Sequence, residues 1–149
     1  KVLGIVGFGR IGKEIAKRAK AFDMRVIAVA SRQRESLPEN VDWLGTDLDK
    51  LLHESCFVVI CCPLNPDTKG LIKKEALEKM RADAVLINVA RGPVVDEDAL
   101  YDALLKKQIR GAALDVWWKY PSKDEPDVQP SRHPFKDLEN VFITPHSSG

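Results

Sequence analysis

Val2-Leu3-Gly4-Ile5-Val6-Gly7-Phe8-Gly9-Arg10-Ile11-Gly12 is the stretch that decides the fold. Its first half is a short apolar run without polar alternation, the pattern of a parallel strand buried on both faces. Its second half carries glycines at the spacing G-x-G-x-x-G. Apolar residues then recur at helical intervals (Ile11, Ile15, Ala19, Phe22), with Lys13, Glu14, Lys17 and Arg18 mostly on the solvated side. The spacing alone says little, because glycines recur in turns; a strand before it and a helix after it give it meaning. Gly7 permits a tight turn, Gly9 lets backbone approach a pyrophosphate, and Gly12 lets helix and strand pack closely. N–H groups where the helix begins, at Arg10 and Ile11, lie at the positive end of its dipole and suit the phosphates of a dinucleotide. A Walker-type loop is excluded, since no Gly-Lys-Ser/Thr follows.

The same alternation continues outward. Val2–Val6, residues 26–29, Phe57–Ile60, residues 84–87, residues 112–114 and Val141–Ile143 read as buried strands. Helical patterns fall at residues 47–54, 73–80 and 96–108. In the last of these Asp96 is the expected N-cap, with Glu97 and Asp98 in the first turn and Lys106 and Lys107 in the last, matching the helix dipole. This order predicts one α/β domain, a Rossmann-type doubly wound parallel sheet with helices on both faces. Residues 119–134 break the rhythm, holding Pro121, Pro126, Pro130 and Pro134 among charged residues, and read as a long exposed loop.

Composition narrows the function. Lys plus Arg number 23 against 22 Asp plus Glu, so bulk charge offers no nucleic-acid or membrane surface. No apolar run reaches the length of a membrane span and the N-terminus is not a signal peptide, so a cytoplasmic protein is expected. Cys56, Cys61 and Cys62, without C-x-x-C spacing, read as reduced thiols rather than as disulfides or metal ligands; no metal is expected.

The end of the second strand bears on the choice of dinucleotide. An NAD-preferring fold usually carries a carboxylate there for the ribose 2′-OH. Here the strand ends Ala28-Val29-Ala30-Ser31-Arg32-Gln33-Arg34, without a carboxylate. The Ser31 hydroxyl and the guanidinium groups of Arg32 and Arg34 suit a 2′-phosphate, so NADP is favoured over NAD.

Four later segments are more specific. Cys62-Pro63-Leu64-Asn65-Pro66-Asp67-Thr68-Lys69-Gly70-Leu71-Ile72 follows the third strand, and Asn88-Val89-Ala90-Arg91-Gly92-Pro93-Val94-Val95-Asp96 the fourth. Gly111-Ala112-Ala113-Leu114-Asp115-Val116 forms the fifth, and Thr144-Pro145-His146 ends the sixth. With the phosphate turn these resemble, over essentially the whole chain, the cofactor-binding domain of the D-isomer-specific 2-hydroxyacid dehydrogenases. The resemblance implies hydride transfer between NAD(P)H and a small 2-oxo or 2-hydroxy acid such as glyoxylate, hydroxypyruvate or glycerate. It implies that Arg91 grips the substrate carboxylate and that His146 exchanges the proton, roles suited to a planar guanidinium and an imidazole. It places Asp115 near the nicotinamide carboxamide, and Pro63, Val89 and Ala90 along the cofactor. Without the resemblance, Asp115 reads equally as a strand-end cap.

The chain departs from the family pattern in two places. A Glu-Pro pair usually follows the Asp-Val strand, its glutamate bonded to the catalytic histidine; here that spacing lands on Tyr120-Pro121. A phenol can orient an imidazole but carries no charge near neutral pH. Glu125-Pro126 could substitute if the proline-rich loop folds back. The family also adds a separate substrate-binding domain, and a long helix that helps form a dimer. Neither is in this sequence, so the chain is expected to be one domain of a normally two-domain enzyme, a homodimer when full-length. Domain closure excludes water, so the isolated domain is expected to turn over poorly. The competing expectation is a nucleotide-sensing interaction module, similar to the dehydrogenase-like corepressors, with little turnover.

Overall fold

The computed structural model describes residues 1–33 and 35–147. Seven parallel strands form one sheet: β1 (Val2–Val6), β2 (Arg25–Val29), β3 (Trp43–Gly45), β4 (Phe57–Ile60), β5 (Val85–Asn88), β6 (Gly111–Leu114) and β7 (Val141–Ile143), in the order β3-β2-β1-β4-β5-β6-β7. Helices α1 (Arg10–Ala21), α2 (Leu48–Glu54), α3 (Lys74–Glu78) and α4 (Glu97–Leu105) connect them. The order reverses between β1 and β4. That switch leaves a crevice at the carboxyl ends of the strands, where open α/β sheets bind ligands.

The two faces of the sheet are covered unequally. Leu51 and Leu52 of α2, Leu77 of α3, and Leu100 and Leu104 of α4 join one large core with Ile27, Val58, Ile60 and Leu86. On the other face Ala16 and Ala19 of α1 pack over Leu3, Ile5, Val26, Ala28 and Val59. Across that second face the register sets Ile5 beside Val59, Val59 beside Ile87, Ile87 beside Ala113, and Ala113 beside Phe142. Burial fades along this row, from fully buried Ile5 to Phe142 with 70% of its surface exposed. β7, expected as a buried strand, is therefore a half-covered edge, because α1 reaches only the far end of the row.

Two other expectations are corrected. The stripe Ile11, Ile15, Ala19 and Phe22 faces the core only at Ala19 and, in part, Ile15: Ile11 is 55% and Phe22 80% exposed, while Gly12 and Ala16 are buried in their place. Small residues let α1 lie close to the sheet, so the buried face is the narrow one rather than the most hydrophobic one. β3 was not expected at all. Three residues carry no period, and its strand character comes from pairing Trp43, Leu44 and Gly45 with β2. Asp96 caps α4 as expected, its carboxylate accepting from Ala99 N at 2.8 Å; Asp47, read as the first residue of its helix, instead caps α2, its carboxylate accepting from Lys50 N at 3.0 Å.

Residues 119–134 form no regular element, but they are tied down at their far end. The buried Glu97 carboxylate accepts from Ser131 Oγ at 2.7 Å, from Arg132 N, and from Arg132 Nε at 3.1 Å. Its neighbour Asp98 takes Arg132 Nη2 at 3.0 Å and pairs with His133 Nε2 at 2.6 Å. His133 also stacks on Tyr101, with ring centroids 4.5 Å apart. Lys119 N donating to Pro130 O at 3.2 Å closes the base of the loop.

Candidate active site

The crevice is built first from backbone. Gly7 leaves β1 with φ +95°, a conformation side chains disfavour, and a Cβ there would lie 2.6 Å from the Cys62 backbone. Its N–H donates to Val29 O at 2.9 Å, tying the turn to β2. Gly12 packs so closely that a Cβ would meet Gly7 O at 2.6 Å. Gly9 differs: it is the N-cap of α1, offers no side-chain cap, and a Cβ there would meet nothing within 4 Å. The helix therefore opens on exposed Arg10 and Ile11 with its first N–H groups uncapped by a side chain and clear space above Gly9. That is the shape and polarity a pyrophosphate needs.

Beside this turn, the end of β2 carries exposed Ser31 and Arg32; Arg34 lies outside the described residues. At the end of β4, Cys61 N donates to Val6 O at 2.9 Å, Cys62 is buried, and Pro63 is exposed. The segment after Pro63 organises itself. Asn65 Oδ1 accepts from Asp67 N at 2.9 Å and Thr68 N at 3.0 Å, and Thr68 Oγ1 donates back to Pro63 O at 2.6 Å.

The end of β5 is shaped by buried Asn88, whose role the sequence reading missed. Its Nδ2 donates to Arg91 O at 3.0 Å and its Oδ1 accepts from Ala90 N at 3.1 Å, so one side chain folds the turn through half-buried Val89 and buried Ala90. Asn at a strand end commonly makes such a local bond, and this was the available signal. The exposed Arg91 curls onto the turn, Nη1 donating to Ala90 O at 2.6 Å. Gly92 follows where a Cβ would collide with Trp117 O at 2.2 Å, so the loops after β5 and β6 touch through their main chains.

The ends of β6 and β7 are joined by Asp115. Its buried carboxylate accepts from Thr144 Oγ1 and from Ser147 N at 2.8 Å, and the backbone adds Thr144 N to Leu114 O at 3.0 Å. Asp115 thus acts as the strand-end cap, holding the loop that carries His146. Trp117 Nε1 donates to Thr144 O at 3.2 Å from the other side. His146 itself is exposed with φ +64°, a left-handed conformation, and lies beside Tyr120 with ring centroids 5.5 Å apart. The Tyr120 hydroxyl accepts from Trp117 N at 3.0 Å, and its contact with the imidazole is ring to ring. Glu125 is exposed, paired through its backbone with Ser122 in a local turn: its N–H donates to Ser122 Oγ and its carbonyl accepts from Ser122 N, both at 3.1 Å.

The described site residues named from sequence therefore gather on the carboxyl edge of one sheet. Burial, with neighbouring Cys62 as a smaller cause, pushes the Cys61 thiol up to about 12, and burial likewise raises that of Cys62. Among the described residues no helix is long and apolar enough to cross a membrane, and no three His, Cys, Asp or Glu side chains gather as a metal site.

A sheet that reverses its winding beside a helix start without a side-chain cap is the arrangement of dinucleotide-binding α/β domains of the Rossmann type. The model of the D-isomer specific 2-hydroxyacid dehydrogenase, NAD binding domain, matches residues 1–148, and the chain belongs to that family. It is 44% identical over 146 residues to a glyoxylate reductase of Pyrococcus horikoshii, covering 98% of this chain and 41% of that protein. It is 45% identical over 147 residues to glyoxylate/hydroxypyruvate reductase B of Pectobacterium carotovorum, covering 98% and 44%. Among solved structures, the NAD-complexed D-isomer specific 2-hydroxyacid dehydrogenase of Lactobacillus delbrueckii superposes with a TM-score of 0.82 at 32% identity, covering 98% and 46%. An NADPH-dependent glyoxylate/hydroxypyruvate reductase of Sinorhizobium meliloti superposes at 0.86 and 29%, covering 99% and 57%. The chain thus spans less than half the length of the curated relatives it matches.

Proposed function

We propose that this domain binds NADPH in preference to NADH and serves the interconversion of a small 2-oxo acid and its D-2-hydroxy acid. Glyoxylate and hydroxypyruvate are the first substrates to test, by analogy with the relatives named above. The observation that carries the reading is the open cradle over Gly9 at the switch point, with Arg91 and His146 on strand ends along the same edge. The nicotinamide supplies the hydride. Arg91, released from Ala90 O, offers a carboxylate two parallel N–H bonds and draws charge from the adjacent carbonyl. His146 gives or takes the proton at the reacting oxygen, its ring flanked by Tyr120. Pro63, Val89 and Ala90 would lie along the cofactor and Asp115 near its nicotinamide carboxamide, while also holding Thr144 and Ser147. Ser31 and Arg32, with no carboxylate beside them, favour a 2′-phosphate. The protein bearing this domain acts as a homodimer.

Titration with both reduced dinucleotides tests the cofactor preference; NADPH binding equal to or weaker than NADH defeats it. Arg91→Ala and His146→Ala in the protein that bears the domain should abolish glyoxylate turnover while leaving dinucleotide affinity within about twofold. A second reading, a nucleotide-sensing module, is favoured by Tyr120 standing where a carboxylate is expected. Dinucleotide binding without turnover of any 2-oxo acid would support it.

A further inference from the structure

We propose that the Cys61 thiol is a positioning residue for the dinucleotide, donating to the Gly7 carbonyl and so holding the glycine turn in the shape that receives the pyrophosphate. The inference rests on dinucleotide binding at this turn, as put forward above.

Cys61 lies across the switch point, the first residue after β4. Its backbone N–H donates to Val6 O and its Sγ–H to Gly7 O, each at 2.9 Å, so one residue holds two successive carbonyls as the chain leaves β1. A trans peptide keeps its carbonyl and N–H in one plane. Holding Gly7 O therefore sets the Gly7–Phe8 unit and the path into Gly9. The sulfur also stands 3.4 Å from where a Gly12 Cβ would be, wedged between the turn and the first turn of α1. Cys62 takes the opposite side: its Cα would be 2.6 Å from a Gly7 Cβ. The pair thus grips the turn from both faces of the sheet, Cys61 with the α1 core and Cys62 with the other.

The thiol is suited to donate. An ordinary thiol is already protonated at neutral pH, and burial pushes this one further up, to about 12. Gly7 N–H to Val29 O ties the turn to β2, and the thiol adds a hold on the Gly7 carbonyl, while α1 contributes no side-chain cap. Half-buried cysteines more often serve as small apolar fillers, and the alternative here is that Cys61 only occupies space.

Two variants separate these roles. Cys61→Ala removes the donor, whereas Cys61→Ser keeps a donor of nearly the same size. Affinity for NADPH and NADH is measured by calorimetry, and exchange of the Gly7 and Lys13 amides by NMR without ligand. Those two amides close the turn onto Val29 O and Gly9 O. Cys61→Ala should weaken the better dinucleotide about fivefold and speed exchange at both amides by a similar factor. Cys61→Ser should restore both quantities to within about twofold of the parent chain. Equal behaviour of the two variants, both unchanged or both impaired, would overturn the proposal. If the parent chain binds neither dinucleotide, the binding reading fails and this inference with it. The exchange comparison would then report only whether the thiol shapes the turn.

Discussion

The two walls of the crevice are built by different means. On one side, from Gly7 to Gly12, the surface is main chain: a left-handed glycine, a close helix, and an N-terminus that no side chain caps. On the other, around Tyr120 and His146, it hangs on side chains gathered from distant sequence. Asp115 holds Thr144 and Ser147, Trp117 holds Thr144, and Glu97 and Asp98 hold the far end of the proline-rich loop. A backbone-built wall is set by local sterics and cannot relax without moving β1 or α1. A side-chain-built wall can loosen piece by piece, since each contact is worth a kcal/mol or so and can open locally. That division fits what each wall is proposed to hold: phosphates that stay put, and an acid that must enter and leave.

The sharpest way to break the comparison is within the first wall. Gly7→Ala forces a Cβ into the Cys62 backbone at an unfavourable φ, and should cost about 3–5 kcal/mol in urea unfolding and eliminate dinucleotide binding. Gly9→Ala meets nothing in the protein, so stability should stay within about 0.5 kcal/mol, yet affinity should fall tenfold or more, roughly 1.4 kcal/mol, because the methyl enters the phosphate space. If Gly9→Ala binds normally, the wall is not a phosphate cradle.

The second wall is tested through its anchor. Glu97→Ala leaves Ser131 and Arg132 without their buried acceptor and should destabilise by about 2 kcal/mol. Amide exchange in residues 119–134 should rise while dinucleotide affinity holds; a matching loss of affinity would mean the walls are not independent.

The smallest effect is one of pH. The His133 hydrogen bond first, and the Arg132 charge after it, hold the Asp98 carboxyl below its ordinary value. A depressed folded value means the contribution is complete above the unfolded pKa, about 3.9, and is lost as pH falls through the lower folded value. Below about pH 4 the loop should loosen, and Asp98→Asn should flatten that acid limb in a pH series of amide exchange. The group is fully exposed, so salt should weaken the effect. An acid limb unchanged by the substitution would remove Asp98 from the anchor.

Legibility in the sequence follows the same division. The glycine spacing, the apolar runs and the helix cap at Asp96 could be read directly, because each is a pattern within a few residues. Asn88 was half legible: its position in the motif stood out, its two turn-forming bonds did not. The inward face of α1 was misread, since hydrophobicity pointed to Ile11 while close approach selected Gly12 and Ala16. The clamp of residues 131–133 on Glu97 and Asp98 spans more than thirty residues and leaves no local pattern.

The amino-acid order alone settled the alternation of strand and helix, the parallel sheet and the glycine turn, because periodicity and glycine sterics act at short range. Only the folded chain decided the rest: that β7 is a half-bare edge, that Asp115 caps the loop bearing His146, that Tyr120 meets that imidazole by its ring, and that Cys61 reaches Gly7. Those contacts join residues far apart in sequence, and their partners are chosen by the distance between strand ends in the sheet, a quantity no short stretch of sequence contains.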